Sequence, residues 1–256
     1  MKAIQWMIIL AFGFITVACG GSGPSDPESG PASLSSEEQA ELVASALSTQ
    51  QGGITEDITT ATVAASGGQQ QGLSASAVHN FSVSVTIDFY DAMDFLQPGY
   101  DPNTTDRIDY ESRIQGAISN GQGYFTELNI DNRSDFTVDE ILSRTVWING
   151  IHTNNSSYRR TTFVTGADVH FALDCTLILT DITVDLDAGD TFPESGTIEG
   201  SISGSHERSG PFGQQSTQFS FHFIATYLGD NTAEVELADG TVFIVQLSDG
   251  SVQFSN

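Results

Sequence analysis

From His79 onward, apolar and polar residues alternate with a period of two. In FSVSVTIDF, Phe81, Val83, Val85, Ile87 and Phe89 fall on one face, and Ser82, Ser84, Thr86 and Asp88 fall on the other. QFSFHFIATY repeats the arrangement, with Phe219, Phe221, Phe223, Ala225 and Tyr227 set against Ser220, His222, Ile224 and Thr226. Alternation of this kind puts one face of a strand in the core and the other toward water, the habit of antiparallel sheets. Asn120-Gly121, Asn149-Gly150, Asp239-Gly240 and Asp249-Gly250 supply turn signals between the runs, and ELADGTVFIVQL reads as a hairpin about Asp239-Gly240. Strands do not alternate with helices. The pattern predicts an all-β fold: an antiparallel meander sheet, as an open or partial β-barrel or a sandwich.

One run changes parity. In VHFALDCTLILTDITVDL the apolar residues sit at Val169, Phe171, Leu173, Cys175, Leu177 and Leu179, then move to Ile182, Val184 and Leu186. Such a shift marks a bulge or bend inside one long strand. A faint self-similarity also runs through the domain. RIQGAIS (113–119) matches TIEGSIS (197–203), Ile87-Asp88 matches Leu173-Asp174, and the Asn149-Gly150 turn matches Asp239-Gly240. Matches this short fit either a five-strand unit duplicated once or chance similarity between strands.

The strongest helical signal is SEEQAELVASALS, residues 36–48. Ser35 and Glu38 form a capping-box pair, and Leu42, Val43, Ala46 and Leu47 make an apolar stripe at helical spacing. ITEDITTATV (54–63) is compatible with a helical turn or an edge strand. The stretch around it, to residue 78, is rich in Gly, Gln, Ser, Thr and Ala.

The N-terminus carries a different pattern. Met1-Lys2 precedes AIQWMIILAFGFITV (3–17), an apolar run shorter than the ~20 residues of a membrane-spanning helix. A positive start, a short apolar core and small residues after it describe a secretory signal peptide. The next residues, Thr16-Val17-Ala18-Cys19-Gly20, resemble the lipobox of bacterial lipoproteins; Val17 and Ala18 fit, and Thr16 departs from the usual Leu, Val or Ile. The resemblance implies that Cys19 is diacylated and becomes the mature N-terminus. Because Gly20 is not Asp, it further implies the outer membrane. Residues 20–36, GGSGPSDPESGPASLSS, cannot bury enough apolar surface to order themselves and read as a tether spanning ~20–25 Å. The expected organisation is a signal peptide at 1–18, a tether at 19–35, a helix with polar linker at 36–78 and the β domain at 79–256.

Charge narrows the partners. The formal charge is −25, from 33 acidic and 8 basic residues. Loss of the signal removes Lys2, the single lysine, and leaves seven Arg against the 33 acids, or −26. This argues against nucleic acid and anionic lipid surfaces, which are bound through Lys and Arg. It also excludes lysine Schiff bases and P-loop lysines. Arg107, Arg113, Arg133, Arg144, Arg159 and Arg160 cluster between 107 and 160. They are expected to pair mostly with surrounding acids.

Candidate chemistry is sparse. There is no G-x-S-x-G, H-E-x-x-H or C-x-x-C, and His79, His152, His170, His206 and His222 are dispersed. Cys175 lies in an apolar strand beside Asp174 and reads as a core residue, since no positive neighbour favours its thiolate. Calcium candidates are two acidic turns, Asp185, Asp187 and Asp190 in one and Asp101, Asn103 and Asp106 in the other, neither with the EF-hand spacing. No cofactor other than such calcium is expected. The sequence points to a lipid-anchored envelope protein whose β domain binds or scaffolds without catalysis, in contact with the membrane through its lipid and with an envelope protein. The alternatives are a carrier of an apolar acyl-type ligand in a partial barrel, with the helix as lid, and a carboxylate-dependent carbohydrate hydrolase.

Overall fold

The computed structural model describes residues 34–49, 53–68, 81–119, 127–161, 168–188, 192–210 and 213–255. The expected signal peptide, Cys19, nearly all of the expected tether, Asn120-Gly121 and Asp190 lie outside them. Eleven strands form one antiparallel sheet: β1 (Phe81–Asp91), β2 (Leu96–Gln97), β3 (Thr105–Ser119), β4 (Glu127–Asp139), β5 (Thr145–Thr161), β6 (Asp168–Asp185), β7 (Ser195–Gly210), β8 (Gly213–Gly229), β9 (Thr232–Leu237), β10 (Val242–Gln246) and β11 (Val252–Phe254). Their order, β11-β10-β9-β8-β7-β6-β5-β4-β3-β1-β2, is a meander with β2 at one edge and β11 at the other. The sheet is open, neither a closed barrel nor a sandwich.

Two helices cover one face. Helix α1 (Ser36–Leu47) starts with the expected capping box: Ser35 Oγ accepts from Glu38 N–H and Glu38 accepts from Ser35 N–H. Such a cap stabilises a helix by about 1 kcal/mol. Helix α2 (Ile54–Ala65) is the segment whose sequence fitted a helix or an edge strand. Its buried Ile54, Ile58, Ala61 and Ala65 recur every three to four residues, so packing on the sheet settles the choice. Helix α1 rests on β10 and β11, and α2 on β3, β4 and β5. None of the described helices is long and apolar enough to cross a membrane.

Register explains why these strands share a core. Ile87, Tyr110, Phe136, Gly150, Leu179, Ile198, Ala225, Val235 and Phe243 are successive cross-strand partners from β1 to β10. All face the helices. All except Gly150, which has no side chain, pack with Leu47, Ile54 and Ile58 in one continuous apolar core. The parity change in β6 is real: register shifts between Thr180 and Thr183, and Asp181 has a positive φ of 53°. Asn149-Gly150, by contrast, is no turn. It continues β5 in unbroken register with β4, opposite the bulge of β6, and Gly150, with φ 155°, stands so close to β4 that an added Cβ would lie 2.2 Å from the Asp135 carbonyl oxygen. A glycine that permits close backbone approach looks in sequence like one that permits a turn. Asp239-Gly240 and Asp249-Gly250 do turn the chain, with positive φ at both glycines.

Candidate functional site

Two features stand apart from the packed core. The first is polar and buried. On β3, β4 and β5 the inward row next to Tyr110 and Phe136 carries Ser112, Ser134 and His152, direct cross-strand partners. All three are buried, at 7, 0 and 4% exposure. Asp57, in the first turn of α2, comes down onto this row. Ser134 Oγ donates to Asp57 Oδ2 at 2.6 Å, and Ser112 Oγ donates to Oδ1 at 3.3 Å. His152 Nδ1 stands 2.7 Å from Ser134 Oγ and 3.4 Å from Asp57 Oδ2. A serine has a single hydroxyl proton, and the carboxylate can only accept. Ser134 therefore accepts from Nδ1–H of His152, and the chain runs from imidazole to hydroxyl to carboxylate.

Serine, histidine and aspartate invite comparison with a hydrolytic triad, but the order is wrong. A triad places the imidazole between the acid and the nucleophile, so that the ring can take the hydroxyl proton. Here the hydroxyl is in the middle and already gives its proton to the acid. The arrangement latches α2 to the sheet. Burial surrounds it with further perturbed groups. The Glu56 carboxyl is pushed up to about 7, by burial first and by its neighbour Asp57 second. The Tyr110 phenol is also driven well above its ordinary value, by burial and then by Asp57. One row farther along, Asn132 and Asn154 face each other across β4 and β5. Both have buried side-chain oxygens that accept no hydrogen bond within the protein.

The second feature is the opposite face of the sheet, which no described helix covers. There Glu111, Asp135, Ile151, Ile178, Glu199, Ile224 and Glu236 succeed one another as cross-strand partners from β3 to β9. Ile151, Ile178 and Ile224 are 41, 47 and 49% exposed; Ile151 and Ile178 adjoin, Glu199 separates them from Ile224, and carboxylates border them on either side. The arginines near this face are engaged. Arg113 holds Asp131 by two bonds of 2.8 and 3.0 Å, Arg133 pairs with Glu111 and Asp135, and Arg159 pairs with Asp168. Among the described residues no cation pairs with Glu199 or Glu236. The face thus divides into a neutralised half on β3 to β6 and an acidic half on β7 to β9.

The calcium candidates are placed as follows. Asp101 Oδ1 accepts from Asn103 N and Nδ2 at 2.9 and 3.3 Å, and these bonds hold its carboxyl below the usual range. Asp106 Oδ1 accepts from Leu142 N–H. Asp185 caps Asp187 N–H at 2.8 Å, and Asp187 pairs with Arg144 at 3.0 Å. The turns are organised by their own backbones. Among the described residues, no three His, Cys, Asp or Glu side chains are grouped to hold a metal. Cys175 is buried and burial pushes its thiol up to about 12. His222 sits exposed on the uncovered face.

Motif reading passed over Asp57, Ser134 and His152, since none stands in a recognisable spacing. The signal available was an interruption: three neighbouring strands each turn polar at inward positions, with Ser112, then Asn132 and Ser134, then His152 and Asn154. No protein-family model, curated protein or solved structure matches this chain.

Proposed function

We propose that this protein is a lipid-anchored lipoprotein of the outer membrane whose β domain acts as a non-enzymatic binding or structural module. The observation that carries the reading is the division of labour between the two sheet faces. One face is filled by α1 and α2 and closed over the Asp57–Ser134–His152 latch. The other presents Ile151, Ile178 and Ile224 to solvent between carboxylates. Exposed apolar side chains set among carboxylates, on paired strands, suit a protein-binding surface. The anchor follows from the lipobox resemblance at Cys19 and from the Gly/Ser/Pro tether behind it.

Metabolic labelling with an alkyne-tagged palmitate in the native host tests the anchor. Label should enter the wild-type chain and be lost from Cys19→Ser, which should also leave the outer-membrane fraction. Equal labelling of both would overturn the reading. For the module, Ile151→Ser/Ile224→Ser should keep the fold and lose association with other envelope components on native gels. Unchanged migration would remove the face from consideration.

A further inference from the structure

The three most exposed large apolar side chains of the described residues are Met93, Phe95 and Leu96, at 77, 65 and 66%. They lie within four residues of one another, on the turn joining β1 to β2 and the first residue of β2. The turn is not loose. Asp91 Oδ1 accepts from the N–H groups of both Met93 and Phe95, at 2.9 and 3.0 Å, and Asp91 N–H donates to the Phe95 carbonyl at 3.1 Å. Asp94, in a left-handed conformation with φ 63°, forms an ion pair with Arg107 of β3, whose guanidinium stacks 4.1 Å above the Tyr90 ring. A fixed turn that holds three apolar side chains in water has an ordering cost already met and an apolar contact still to make.

A fourth apolar side chain joins them. Leu142, 43% exposed, sits on the short helical turn Ile141–Ser143 between β4 and β5, and its N–H donates to Asp106. Asp106 and Arg107 are neighbours at the start of β3, so both turns are tied to the same strand end. The surroundings are acidic. Asp94, Asp106 and Asp109 act on the Asp139 carboxyl with Arg107 as the opposing cation, and Glu140 adjoins it. Arg107 is spent on Asp94 and Asp109.

We propose that this rim is a docking site for a cationic protein of the envelope, with an apolar pocket receiving Phe95 and its neighbours. The inference rests on the binding-module reading and adds a second surface to it. Charge complementarity chooses the occupant: carboxylates around an apolar tip attract Lys and Arg and are repelled by phosphate-bearing lipid surfaces. Position agrees. The described chain enters at Leu34–Ser36, where Ser36 Oγ bonds Asp239 in the β9–β10 turn, a full β9 strand away from the rim end. The rim therefore points away from the side where the tether joins the domain.

The test is photo-crosslinking in cells, with the full lipid-anchored chain carrying a photoreactive phenylalanine at position 142 or, separately, at position 178 on the sheet face. The probe at 142 should give one protein adduct, reduced about tenfold by Met93→Ser/Phe95→Ser/Leu96→Ser, as expected when apolar anchors are removed. The purified adduct partner should bind the wild-type chain, more weakly at high salt, and bind the triple variant about tenfold less well. The substituted side chains are exposed, so an unchanged unfolding midpoint shows that the variant folds. Adducts to lipid alone, wild-type flotation with phosphatidylethanolamine vesicles that the triple variant loses, or a protein adduct indifferent to the triple variant would each overturn the proposal. An adduct from 178 with none from 142 sinks the rim and spares the binding module. Silence at both positions sinks both.

Discussion

Ser134 of β4 and Asp57 of α2, 77 residues apart in sequence, meet at 2.6 Å in the core, and that bond sets where α2 sits on the sheet. The apolar contacts of Ile54, Ile58, Ala61 and Ala65 would tolerate sliding along the strands. The hydroxyl and imidazole would not, because every displaced position leaves a buried polar group unpaired. Asp57→Ala leaves the hydroxyl protons of Ser134 and Ser112 without an acceptor, while His152 keeps its bond to Ser134. At about 1–3 kcal/mol for each unsatisfied buried group, partly relieved by relaxation, the variant should lose about 2–4 kcal/mol in urea unfolding. Ser134→Ala should cost less, since it leaves Asp57 with Ser112 and His152. A double-mutant cycle should return a coupling of about 1–2 kcal/mol; additivity would mean that the latch is not one unit.

Cys175 offers a chemical reading of the same core. Its thiol is raised to about 12 from an ordinary 9 because burial disfavours the thiolate. At pH 8 that lowers the thiolate fraction on the order of a thousandfold. In Cys19→Ser, where Cys175 is the remaining cysteine, iodoacetamide should modify the folded protein slowly and the urea-unfolded protein at the rate of a free thiol. Rapid modification in native buffer would place Cys175 outside the core.

Gly200 of β7 is required by a neighbour. An added Cβ would stand 2.1 Å from the Phe223 ring, and Phe223 is only 3% exposed and packed in the core. The ring cannot swing away without displacing its neighbours. Gly200→Ala should therefore destabilise by about 1–3 kcal/mol, the usual penalty of overpacking, although alanine gives the unfolded chain less conformational entropy to lose than glycine does. Phe223→Leu in the same background should recover part of the loss. A neutral Gly200→Ala would show that β7 and β8 adjust freely.

The fold was readable where burial imposes a period. Alternation at Phe81–Phe89 and Phe219–Tyr227, the Asp239-Gly240 and Asp249-Gly250 turns and the parity change at Asp181 all register the pleat of the sheet. They are local, and local signals survive in one sequence. Whether the sheet closes is decided by how the edge strands β2 and β11 end, and no residue pattern announces it. Helix α2 was ambiguous because Thr and Ile suit strands as well, and its helical state depends on the sheet beneath it. The latch was hidden for the same reason: Asp57, Ser134 and His152 come from three elements and acquire meaning only when β4, β5 and α2 are assembled. Residues 112, 134 and 152, polar at inward positions on adjacent strands, were the trace it left.

Glu56 makes the stability of that assembly depend on pH in a direction opposite to most carboxylates. Its folded value is about 7 against an ordinary 4.5, so the folded state holds this proton more tightly than the unfolded chain. The resulting stabilisation is fully present below about pH 4.5 and is lost as pH rises through 7. A shift of this size corresponds to about 3 kcal/mol, which residual solvent contact at Glu56 reduces to about 1–2 kcal/mol. Glu56→Gln mimics the protonated form at every pH. It should match the wild type at pH 4.5 and exceed it by about 1–2 kcal/mol at pH 8, with the divergence centred between those values. Taking the difference between the two proteins cancels the opposite contributions of Asp101, Asp131, Asp239 and Asp249, whose carboxyls are lowered in both. Urea midpoints from pH 4.5 to 8 measure it. Parallel curves would show that Glu56 is as well solvated in the folded protein as in the unfolded one, and the first turn of α2 would then have to stand off from Tyr110 and the strand row that Asp57 grips.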